Sequence, residues 1–75
     1  MTAEFFLKQI KITEDFLRRN PNKSSFTGKG ISAFIQLNKD LKRTKLKPDE
    51  KTKVYTELNR LKEFIFKSME NFKEI

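Results

Sequence analysis

A chain of 75 residues holds one domain, spanning residues 1–75, and a domain of this size buries only a modest share of its surface. It contains no Cys and no His, which excludes disulfides and thiolate chemistry and removes the commonest acid–base, nucleophilic and zinc-binding side chains. The formal net charge of +7 is concentrated: residues 1–22 carry four basic and three acidic side chains, residues 23–53 nine and three, and residues 54–75 four of each.

Apolar and charged residues each make up 36%, and the apolar set includes eight Phe. Their patterning marks a folded chain rather than a disordered one. No apolar run approaches the ~20 residues of a membrane span. Glu4, Lys8 and Lys11 interrupt any signal-peptide core. With no cysteine staples, a cytoplasmic location is expected.

The first helix is predicted over 3–19. Ala3, Phe6, Leu7, Ile10 and Leu17 share one side at 100° per residue, extended by Phe5, Ile12 and Phe16. Glu4, Lys8, Lys11, Asp15, Arg18 and Arg19 lie opposite, as an amphipathic helix requires. Thr2 supplies an N-cap oxygen. Glu4–Lys8, Glu14–Arg18 and Asp15–Arg19 are acid-first pairs at i,i+4. Asn20-Pro21 ends the helix.

Residues 20–30 read as a loop, because they hold both glycines and one of the two prolines. Phe26, the one apolar residue inside it, is expected to plug the end of the core. The second helix follows over 31–44, with Gly28 as an earlier start if Thr27 caps it. Ile31, Phe34, Leu37 and Leu41 form its apolar stripe, with Ala33 and Ile35 at the flanks.

Pro48 at the first helical position, with Asp49 and Glu50 in the first turn, is a strong start signal for a third helix over 48–73. Val54, Leu58, Leu61, Ile65, Met69 and Phe72 make its central stripe, widened by Tyr55 and Phe66 on one side and Phe64 and Ile75 on the other. The fold class is all-α: a small three-helix bundle with a long C-terminal helix. That helix, at ~39 Å, exceeds the ~25 and ~21 Å of the other two. Part of it should lack cover. If the C-terminal end is bare, Phe66, Met69, Phe72 and Ile75 form a partner-binding surface for another protein or for a homodimer.

Catalysis finds little support, since the acids sit on solvated helix faces and no pocket is implied. The chain is expected to be non-enzymatic, without cofactor or metal. Ser24-Ser25-Phe26-Thr27-Gly28-Lys29-Gly30 carries hydroxyls, glycines and a lysine ahead of a helix, an arrangement able to receive an anion. It departs from the P-loop pattern, in which the Lys precedes Ser or Thr.

Lys39, Lys42, Arg43, Lys45, Lys47, Lys51 and Lys53 fall within fifteen residues. Flexible ammonium groups clustered in this way suit contact with phosphates. The expected partner is therefore nucleic acid, DNA or RNA, bound through the 39–53 segment; an acidic protein would serve the same cations. The alternative is an adaptor or inhibitor that docks on a larger protein through its C-terminal helix. A helix-turn-helix is disfavoured, because the 44–47 connection has no glycine and the third helix is long and acidic on its exposed face.

Overall fold

The computed structural model describes residues 2–72, and over them the chain forms three helices and no strand. Helix α1 is Ala3–Arg19, α2 runs continuously over 23–43, and α3 is Pro48–Phe72. Links this short, residues 20–22 and 44–47, force antiparallel neighbours. Each helix packs on both others, giving an up-down-up bundle whose Cα trace spans 43 × 16 × 16 Å.

The helix ends follow from their cap residues. Thr2 Oγ1 accepts from the Phe5 N–H at 3.1 Å. Asn20 closes α1, its backbone and side-chain N–H groups both donating to Phe16 O at 3.0 Å. Glu50 reaches back to accept from the Lys47 N–H at 3.4 Å, half of a capping box at the start of α3. Of the three i,i+4 ion pairs expected on α1, Glu14–Arg18 forms at 3.0 Å. Arg19 instead donates to the Asp15 backbone carbonyl at 3.3 Å.

The core follows the predicted stripes. Phe6, Ile10 and Leu17 come from α1, Leu37 and Leu41 from α2, and Val54, Leu58, Leu61 and Ile65 from α3. Each such side chain contributes about 1.5–3 kcal/mol on burial. Thr13 joins them, its hydroxyl satisfied by donation to Gln9 O at 2.9 Å.

Residues 23–30 are helical, not a loop. Asn22 is the N-cap, its side chain accepting from the Ser25 N–H at 2.9 Å. Thr27, considered as a cap, lies inside the helix and donates to Lys23 O at 2.8 Å. Phe26–Gly30 forms a wide π turn in which the Ile31 N–H donates to Phe26 O. Neither glycine takes a positive φ. Gly30 is there for space: a Cβ on it would sit 3.3 and 3.4 Å from the two Leu17 methyls and 3.6 Å from Ile65 Cδ1. Phe26 is buried, as expected, with its ring 5.4 Å from Phe64 and 5.6 Å from Phe72. Helix propensity loses about 1 kcal/mol per glycine, and burying a Phe side chain outweighs one such loss. The predicted end at 44 also shifts slightly: Thr44 is the C-cap, in extended conformation.

The longer α2 changes what covers α3. At 21 residues it is ~31 Å long rather than ~21 Å, and it reaches the end of the bundle where Phe72 lies. Phe72 is half-buried against Phe26 and belongs to the core rather than to a bare overhang. Met69 is likewise half-buried, whereas Phe66 is exposed. Ile75 lies outside the described residues.

Candidate nucleic-acid interface

The basic segment occupies one end of the bundle, where α2 passes into α3. Three local rules place its side chains. Lys39, Lys42 and Arg43 are separated by three and four residues on the last turns of α2, so they neighbour one another on its surface. Lys42 and Arg43 also face the carbonyl end of the helix dipole, which favours cations. Next, the 44–47 link is extended at Thr44, and Leu46 is packed against the core. In an extended segment alternate side chains point to opposite sides, so anchoring Leu46 turns both Lys45 and Lys47 to solvent, where both are exposed. Finally, Lys51 emerges half-buried from the first turns of α3.

Lys53 does not join them. It lines a groove between α1 and α3 with Lys11, Glu14, Asp15, Glu57 and Arg60, a surface of mixed sign. The structure thus divides the seven cations into a group of six around the turn and one on the adjoining face.

Three acids share this segment; Asp49 is exposed in the first turn of α3, and the other two make local contacts. The Asp40 carboxylate accepts from Gln36 Nε2 at 3.0 Å, and Glu50 caps the Lys47 N–H. Among the described residues no carboxylate oxygen lies within 4.0 Å of the charged side-chain nitrogens of any of the seven; the ion pairs are Glu14–Arg18 and Glu57–Arg60. The start of α1 shares this end and adds Glu4 and Lys8, which offset each other.

Two cations at the opposite end are engaged by aromatic rings. Arg18 lies over the Phe64 ring at 4.7 Å and Lys29 over Phe16 at 4.3 Å. The Ser24–Gly30 stretch offers no open anion cradle, because its backbone is wound into α2. Among the described residues no cluster of three or more Asp or Glu could hold a metal ion, and no helix is long and apolar enough to cross a membrane.

A second surface was only half visible in the sequence. Phe66 was placed on the flank of its stripe, but the neighbours that make it part of a patch, Ile31, Phe34 and Ile35, come from α2. The available signal was Ile35, an isoleucine more than 100° from the centre of the α2 core stripe. No protein-family model, curated protein or solved structure matches this chain.

Proposed function

We propose that this protein binds nucleic acid without base specificity, through phosphate contacts made by Lys39, Lys42, Arg43, Lys45, Lys47 and Lys51. The observation that carries this reading is the set of six cations gathered around one turn, none of them in an ion pair among the described residues. A cluster of one sign raises the local concentration of polyanions and releases counterions when phosphates replace them. Five of the six side chains are lysines, flexible point charges that follow a backbone rather than read base edges. Of the amides on α2 near these cations, Gln36 donates to Asp40 and Asn38 is half-buried, which leaves few groups to read a base edge.

The test is fluorescence anisotropy of labelled duplex DNA and single-stranded RNA, titrated with the full chain from low to physiological salt. Micromolar binding is expected, with a log–log salt slope of about −3 to −6 on duplex, equal to some three to seven phosphates neutralised. Absence of binding at low salt would refute the reading and leave the lysines as a solvated surface.

A further inference from the structure

The α2–α3 face carries an apolar patch of its own. Phe66 is 54% and Ile35 47% exposed. Ile31 and Phe34 border one groove beside Phe66, of about 190 Å³. Met69 and Glu70 border a second, of about 350 Å³.

The charges around the patch indicate what covers it. Lys62 stands four residues before Phe66 on α3, and Glu70 four residues after. Each lies ~6 Å along the helix from Phe66, and neither has an ion-pair partner among the described residues. The order along the helix is therefore cation, aromatic, anion, with Phe66 at the midpoint. An isologous interface requires a surface complementary to itself. A second copy turned antiparallel about a two-fold axis at Phe66 sets Lys62 of each copy against Glu70 of the other.

Long-range charge favours the same arrangement. Residues 54–75 carry as many acids as bases, whereas the excess charge lies in 23–53. Antiparallel pairing about Phe66 sets the charge-balanced stretch of α3 against its own copy and keeps the two basic turns at opposite ends of the dimer. We infer that the protein forms a symmetric homodimer through the α2–α3 face, with the α3 helices antiparallel and Phe66 on the axis.

Sedimentation equilibrium of the full chain, without nucleic acid, tests this from about 5 to 500 µM, the range for a small non-obligate interface. Wild type is expected to associate. Phe66→Ser should be monomeric throughout with an unchanged helical circular-dichroism spectrum. Glu70→Lys, or Lys62→Glu should the first fold poorly, should raise the dimer Kd about tenfold. The exchanged pair Lys62→Glu with Glu70→Lys should restore it to within about threefold of wild type, the restored pairs having the same geometry. A wild-type monomer at the top concentration, or an exchanged pair no tighter than the single reversal, would overturn the inference.

Discussion

Gly30 meets Leu17 so closely across the α1–α2 contact that a Cβ on the glycine would sit 3.3 Å from a Leu17 methyl. Leu17 is fully buried, so it has little room to withdraw. Gly28, two residues earlier in the same π turn, has nothing within 4 Å of its would-be Cβ. Both have helical backbones, which Ala adopts without strain. Gly28→Ala is expected to stabilise the fold by about 0.4–1 kcal/mol through the unfolded chain. Gly30→Ala should forfeit that gain to overpacking and fall at least about 1 kcal/mol below Gly28→Ala. Urea denaturation followed by circular dichroism compares the two midpoints; equal gains would mean that Leu17 swings aside.

Phe26 is the keystone of the same end. Phe26→Ala should cost about 3–5 kcal/mol, a large share of the stability of a small domain. Phe72→Ala should cost less, since its ring is half-buried. A double-mutant cycle on the two should give a coupling of about 0.5–1.5 kcal/mol, as for other tilted aromatic pairs. Zero coupling would show that the 5.6 Å approach contributes area alone.

Asn22→Ala removes the oxygen that satisfies the Ser25 N–H. A loss of about 1 kcal/mol is expected, with amide exchange accelerating in residues 23–30 ahead of residues 31–43. Uniform acceleration across α2 would mean that the π turn and the rest of the helix open together.

Phe26 and Gly30 also explain how far the sequence could be read. The faces of α1 and α3 were legible because polar and apolar residues alternate at helical period over many turns. The 20–30 segment was not, because two glycines and a proline within eleven residues are strong local turn signals. The decisive terms are tertiary: Phe26 is held by Phe64 and Phe72, and Gly30 by its fit between Leu17 and Ile65. A signal was nonetheless present. Phe26, Gly30, Phe34, Leu37 and Leu41 recur every three or four residues, and Asn22 stands where a helix that long would need its cap. The basic segment was fully visible as charge. That Leu46 orients its two neighbours and that Lys53 falls on another face required the bundle.

The proposed interface makes a separable prediction. Replacing Lys39, Lys42, Arg43, Lys45 and Lys47 together by Gln should leave stability within ~1 kcal/mol of wild type, as exposed positions do. The salt slope for duplex binding should become shallower by up to ~0.9 per lost phosphate contact. Lys53→Gln should leave the slope unchanged. A quintuple variant that binds as wild type, or a Lys53 variant that binds as poorly as the quintuple one, would place the interface elsewhere.

The two links between helices are three and four residues long, and this has a consequence for how the chain reaches its structure. Each helix meets its sequence neighbour after closing a very short loop, so little chain entropy is lost before side chains begin to pack. Only the docking of α1 on α3 joins distant parts of the sequence. A topology so dominated by local pairings folds in microseconds to milliseconds, with the α2–α3 hairpin, pinned at Leu46, able to assemble before α1 arrives.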